Sequence, residues 1–218
     1  LFLSNYADMI GISFKSSIKY FPEYKTIFTG NPCSENALMI EAMQKSELGL
    51  TESSKLVLIV MGSLGSEKIN NLLIKTMNSF ENKPYQVLFV TGKDLYEEVS
   101  KNKFPKNVFV VPYIDNMTRI MKKTDVMVSR AGASTLSEII ALKVPSILIP
   151  SPYVPDNHQY KNAIDLVEKD AAILIEEKDL TGELLIEKID YILNNPSKAF
   201  EMKQNLEQFN VKSSATVI

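Results

Sequence analysis

Four stretches of this chain bring small residues, hydroxyls and a carboxylate together in spacings that suit an anionic ligand rich in hydroxyl groups. In Gly62-Ser63-Leu64-Gly65 two glycines let the backbone turn tightly and approach an anion, and the helix expected after them offers unpaired N–H groups at its positive end. That suits a diphosphate, although glycine after a buried strand also serves ordinary turns. The loop lacks the third glycine of a dinucleotide fingerprint and the Gly-Lys-Ser/Thr of a Walker A loop. The stretch Ser129-Arg130-Ala131-Gly132-Ala133-Ser134-Thr135-Leu136-Ser137-Glu138 repeats the theme. Its small side chains expose backbone, Ser134 and Thr135 carry hydroxyls, and Glu138 stands where a carboxylate could accept both hydroxyls of a ribose. Thr135 and Glu138 also match a capping box, which would use the same carboxylate structurally.

Two further loops have weaker chemistry. Asp156-Asn157-His158-Gln159-Tyr160-Lys161-Asn162 sets the chain's single histidine beside an amide, a donor and acceptor set that could bind sugar hydroxyls. Asp156 or Asn157 could equally be a helix cap. In Val111-Pro112-Tyr113-Ile114-Asp115-Asn116-Met117, Tyr113 and Ile114 could flank a flat base, with the Ile114 backbone facing its edge; the same residues also read as a strand end and a cap.

Alternating strands and helices position these loops. Lys55 to Val60 is a near-continuous apolar run, as expected of a parallel strand buried on both faces. After it the pattern predicts a helix from Ser66 to Phe80, a strand over 85–91, a helix over 94–101, a strand over 108–112 and a helix over 117–122. Strand 126–129, a helix over 135–142, strand 146–149, a helix from Gln159 and a strand near 172–175 complete the alternation. Short strands are expected at 8–14 and 25–29. The tail from Thr181 to Phe209 reads as two helices divided at Asn194-Asn195-Pro196. Ser46 to Ser54 is the most linker-like stretch. This is an α/β chain with a Rossmann-like parallel sheet and helices on both faces, and ligands of such sheets bind at the carboxyl ends of the strands.

Composition narrows the function. The chain has 218 residues, and its 24 basic against 26 acidic residues leave a formal charge of -2, so no global basic field exists for nucleic acid. Only Arg119 and Arg130 are arginines, so a polyphosphate site here should rest on backbone N–H groups more than on guanidinium forks. One cysteine, Cys33, excludes an internal disulfide and fits a reducing, cytoplasmic compartment; one histidine excludes a two-histidine zinc motif. No apolar run approaches the roughly 20 residues of a membrane span.

In this order and spacing the loops resemble the donor domain of the glycosyltransferase B family that includes the lipid I N-acetylglucosaminyltransferases. The agreement runs through Thr29-Gly30-Asn31-Pro32, Gly62 to Gly65, Tyr113 to Met117, Arg130 to Glu138 and Asp156 to Ala163, and covers essentially the whole chain. Arg130 to Glu138 and Asp156 to Ala163 are its specific parts. The resemblance implies UDP-N-acetylglucosamine as donor, with uracil near Ile114, diphosphate at Ser63, Ser134 and Thr135, and ribose hydroxyls on Glu138. His158, Gln159 and the Ala133 backbone would meet the sugar, and Asn31 joins the donor-binding set. Ser34 departs from the pattern, standing where the family usually has arginine near the phosphates; Met61, Leu64 and His158 are lesser departures.

The resemblance further implies no cofactor or metal, and a lipid-linked muramyl-peptide acceptor bound by an N-terminal domain. Residues 1–21 read as the last part of that domain and 22–218 as the donor-binding unit. The proposed general base would lie in the N-terminal domain, so no catalytic residue is expected here and the fragment should bind donor without turning it over. Peripheral contact with the cytoplasmic face of the membrane is expected only of the complete protein. The rival readings are a separately encoded donor subunit needing an acceptor-domain partner, a UDP-N-acetylglucosamine 2-epimerase, and a non-catalytic UDP-sugar sensor.

Overall fold

The structure, a computed structural model, describes residues 2–61 and 67–209. Six parallel strands form the main sheet: β3 (Lys55–Val60), β4 (Tyr85–Val90), β5 (Val108–Val111), β6 (Val126–Ser129), β7 (Ser146–Leu148) and β8 (Ile173–Leu174). They lie in the order β5-β4-β3-β6-β7-β8. The chain therefore builds outward from β3 in one direction, then returns to lay β6 against the other side of β3. The gap between β3 and β6 is the point where the winding reverses, and such points open a crevice at the carboxyl ends of the strands. Ahead of this sheet, β1 (Ile10–Ile12) and β2 (Thr26–Phe28) pair in parallel as a separate two-stranded sheet.

Helices cover both faces because the strands are apolar on both. Along β3, Leu56, Leu58 and Val60 face one cluster and Val57 and Ile59 the other, as a period of two requires. The first cluster packs under α5 (Ala133–Leu142) and α6 (His158–Val167) through Leu136, Ile139, Ala163 and Leu166. The second packs under α2 (Glu67–Thr76) and α7 (Gly182–Asn194) through Ile69, Leu73, Leu185, Ile189 and Ile192. Short helices α3 (Tyr96–Val99) and α4 (Thr118–Met121) connect the outer strands. α1 (Pro32–Met39) packs on α5, and α8 (Pro196–Leu206) follows α7 directly.

Several elements end where their residues dictate. Asn31 caps α1, its Oδ1 accepting from the Cys33 N–H at 3.0 Å, with Pro32 at the first helical position. Thr181 caps α7 through the Leu184 N–H at 3.1 Å. The break expected at Asn194-Asn195-Pro196 is observed, since Pro196 opens α8 and cannot continue α7.

Other expectations are corrected. The polar stretch 46–54 is no linker: the buried Lys45 ammonium donates to Ser54 O at 2.6 Å and Glu52 O at 3.3 Å, and Gln86 Oε1 accepts from the Thr51 N–H at 2.7 Å. Its polar residues hold a compact turn against the sheet. α5 begins at Ala133, two residues before the expected start. The helix expected over 94–101 shrinks to α3, and the strand near 172–175 to the two residues of β8.

Candidate functional site

The early start of α5 decides what Glu138 is free to do. Gly132 is the N-cap, in extended backbone and without a side-chain cap, and the first intrahelical bond runs from the Leu136 N–H to Gly132 O at 2.9 Å. Ala133, Ser134 and Thr135 thus form the first turn with their N–H groups outside the helical ladder. Thr135 is the third helical residue, not the cap, so Thr135 and Glu138 form no capping box. The carboxylate of Glu138 makes no hydrogen bond or ion pair with any described residue. It lies half-buried, and burial raises its pKa above the ordinary carboxylate value.

Glu138 opens onto a cavity of about 350 Å³ at the switch point, lined by Val60, Val90, Ile114, Met127, Ser129 and Thr135 among others. The floor is mostly apolar and comes from the ends of β3 and β4, Val60 and Val90, and from Met127 of β6. On the β5 side Ile114 is buried, and neither its N–H nor its C=O bonds to any described residue. A backbone donor and acceptor side by side on an apolar wall suit the edge of a planar base. Outside them Tyr113 is half-exposed, with the Lys93 ammonium 4.6 Å from its ring centre.

The loop before α6 takes an unusual path. Asp156 and Asn157 both have left-handed backbone, with φ of 54° and 51°, and neither caps α6 by its side chain. His158 Nδ1 lies 2.9 Å from Pro155 O. A carbonyl only accepts, so Nδ1 carries the proton of this bond, which leaves Nε2 of the exposed ring for another partner. Gln159 Oε1 accepts from the Ser151 N–H at 2.9 Å, which leaves its NH₂ group for a ligand. Asn162 Nδ2 reaches Ala131 O at 3.4 Å, tying α6 to the loop before α5. His158 lines a separate cavity of about 660 Å³ between α6 and the short helix Lys15–Tyr20.

The nine residues singled out from the sequence are therefore not gathered on one wall. Ile114, Thr135 and Glu138 share the smaller cavity; Ala133 and Ser134 are exposed on the first turn of α5 beside it. His158 and Gln159 stand at the start of α6. Asn31 spends its side-chain oxygen on the α1 cap, leaving only its NH₂ for a ligand. Ser63 lies outside the described residues. The floor residues Val60, Val90 and Met127 were not singled out, since buried strand ends look alike in sequence. The packing of Ser34 was also unforeseen: its Oγ donates to Ser137 O at 3.2 Å, joining α1 to α5.

Both arginines have acidic partners, and Arg130 also lines the smaller cavity. The buried Arg130 guanidinium donates to Ile149 O at 3.0 Å and to Glu177 Oε2 at 2.6 Å. Arg119 lies 3.8 Å from Glu47. Among the described residues no cluster of histidine, cysteine and acidic side chains could hold a metal ion, and no helix is long and apolar enough to cross a membrane.

Residues 56–218 match the C-terminal domain of glycosyltransferase family 28. The chain belongs to this family. Within glycosyltransferase family 28 the similarity extends to individual proteins. The chain is 44% identical, over 98% of its length, to the UDP-N-acetylglucosamine–N-acetylmuramyl-(pentapeptide) pyrophosphoryl-undecaprenol N-acetylglucosamine transferase of Halalkalibacterium halodurans, and 42% identical to a Bacillus cereus protein of the same name. It spans 60% of the length of each. The crystal structure of MurG from Acinetobacter baumannii superposes with a TM-score of 0.75 and 25% identity, covering 99% of this chain and 59% of that one. CalG4, the calicheamicin glycosyltransferase, superposes at 0.69 with 14% identity over 96% of this chain and 51% of its own, a likeness of fold alone. The family and the α/β fold expected from the five sequence segments are thus the ones found.

Proposed function

We propose that this family 28 domain binds UDP-N-acetylglucosamine as the donor half of a glycosyltransferase that passes the sugar to an undecaprenyl-linked muramyl-peptide. The observation that carries this reading is the cavity at the switch point. It presents the free N–H and C=O of Ile114 at one end and an unpaired, half-buried carboxylate, Glu138, at the other, with an apolar floor between. A uracil edge on Ile114 and ribose hydroxyls on Glu138 would use all three. The diphosphate would then meet the N–H groups and hydroxyls of Ser134 and Thr135, helped by Ser63 and by the NH₂ of Asn31. The sugar would lie toward the Ala133 backbone, His158 and Gln159. Such dipoles would also stabilise the charge that grows on the leaving diphosphate when an acceptor hydroxyl attacks the anomeric carbon.

The acceptor site, the general base and any contact with a cytoplasmic membrane face belong in this reading to an N-terminal domain beyond residues 22–218, and the chain alone would bind donor without transferring it. Names and identities of the relatives support the choice of substrates. Calorimetric titration with UDP-N-acetylglucosamine, UDP-glucose and UDP, repeated on Glu138→Ala, tests it. Saturable binding that prefers the N-acetyl sugar and weakens by at least about 1 kcal/mol in the variant is expected. Affinities of the variant equal to those of the unaltered chain would refute the placement of the ribose.

A further inference from the structure

The last rung of the sheet is aliphatic except at one place. Val111, Val90, Val60, Ser129 and Leu148 stand in register across β5, β4, β3, β6 and β7, and residues in register on parallel strands project to the same face. Val60, Val90 and Ser129 all line the cavity that Glu138 opens onto. Ser129 is 1% exposed, and its Oγ has no hydrogen-bond partner among the described residues. Buried serines on the neighbouring elements α5 and β7 do find partners: Ser137 Oγ donates to Ala133 O at 2.7 Å and Ser146 Oγ to Val144 O at 2.8 Å. A buried hydroxyl is seldom left unpaired, and a strand position flanked by valine and leucine favours another aliphatic residue. The polar atom at this point therefore calls for a ligand.

We propose that the Ser129 hydroxyl reads the donor's base by donating a hydrogen bond to the pyrimidine carbonyl beside the glycosidic nitrogen. The assignment rests on the donor reading above. With the base edge on Ile114, beyond β5, and the ribose on Glu138, in the helix that follows β6, the nucleoside spans the ends of β4 and β3. Its N3–H and distal carbonyl are then taken by the Ile114 backbone. The second ring carbonyl lies on the ribose side of the base, and Ile114, Glu138 and Ser129 line the same cavity, in which Ser129 supplies the only hydroxyl of the rung. A purine has no carbonyl at the matching place, so the contact selects for a pyrimidine. It does not separate uracil from cytosine; that falls to the Ile114 pair.

The test is calorimetric titration of UDP, 2-thio-UDP and 2′-deoxy-UDP against the unaltered chain, Ser129→Ala and Ser129→Cys. Sulfur in place of the 2-carbonyl oxygen is a poor acceptor. Ser129→Ala is expected to weaken UDP about fivefold, the scale of one hydrogen bond, and 2-thio-UDP less than twofold; Ser129→Cys, with a weak donor of similar shape, falls between. The ligand-free melting temperature of Ser129→Ala stays the same or rises, because the hydroxyl it removes was unpaired, so a loss of fold cannot mimic the result. Equal weakening of UDP and 2-thio-UDP overturns the assignment, as does a loss that disappears with 2′-deoxy-UDP and so places the hydroxyl on the ribose. If the unaltered chain binds no UDP at millimolar concentration, the donor reading falls and the assignment with it.

Discussion

Replacing Glu177 by glutamine should be among the most damaging single changes to this chain, although residue 177 lies 47 positions from its partner. Side-chain exposure is 10% for Arg130 and 2% for Glu177, and Nη2 and Oε2 are 2.6 Å apart. Removing one charge of so buried a pair strands the other in a poorly solvating interior, at a cost of about 3–5 kcal/mol. For a domain of this size each kcal/mol lowers the melting temperature by about 2–4 °C, so Glu177→Gln and Arg130→Met should each melt about 6–20 °C below the unaltered protein. The double variant Arg130→Met/Glu177→Leu should recover most of the loss, because two apolar groups in contact need no solvation. Lys143→Ala serves as the control: it breaks a pair with Glu207 whose side chains are 42% and 46% exposed, and should cost less than about 1 kcal/mol. Thermal unfolding followed by circular dichroism reads all four. A Glu177→Gln shift no larger than that of Lys143→Ala would refute the argument from burial.

Glu138→Gln should remove a pH dependence. Burial raises the carboxyl pKa in the folded chain, so the folded state keeps a proton that the unfolded state releases. Stability is therefore greatest below the unfolded pKa and falls as pH rises toward the folded one; urea titrations across mildly acid pH should show this decline in the unaltered chain and not in the variant. Affinity for UDP-N-acetylglucosamine, whose diphosphate diester does not titrate there, should weaken as Glu138 is protonated, and calorimetry of the variant should give a flat profile. Gly182→Ala would set a Cβ 2.3 Å from Thr76 Oγ1 and 2.8 Å from its Cγ2, costing about 1–3 kcal/mol in chemical unfolding; Thr76→Ala/Gly182→Ala should regain much of it. Asn31→Ala should lose about 1 kcal/mol with the α1 cap. Asn31→Asp should keep that stability and bind UDP-N-acetylglucosamine more weakly by charge repulsion.

The sheet was legible because its strands are buried on both faces and so are written as unbroken apolar runs. Lys55 to Val60 and Val126 to Ser129 end where expected, and Pro196 marks its helix break in any context. The start of α5 was not legible. Ala133 and Ser134 can precede a helix or open one, and the choice fell to Gly132, whose extended backbone serves as the cap without a side chain. That one shift separates a capping box from a free carboxylate at Glu138. Local patterns also hide pairs made by the folded chain, such as Arg130 with Glu177 or Ser34 with Ser137. A composition that suggests a linker, as in 46–54, does not reveal that Lys45 and Gln86 hold it.

The bare first turn of α5 bears on how this region can change over time and how it can be studied. The donors that the helix itself leaves unpaired there are main-chain amides, which nearly every amino acid carries equally well. Side chains at 133 and 134 can therefore drift while the electrostatic feature persists, proline being the replacement that would remove an amide outright. A scan of alanine substitutions would pass over it almost silently for the same reason. Replacing single amide links by esters, which deletes one N–H and spares the side chain, would make the contribution of each backbone donor visible.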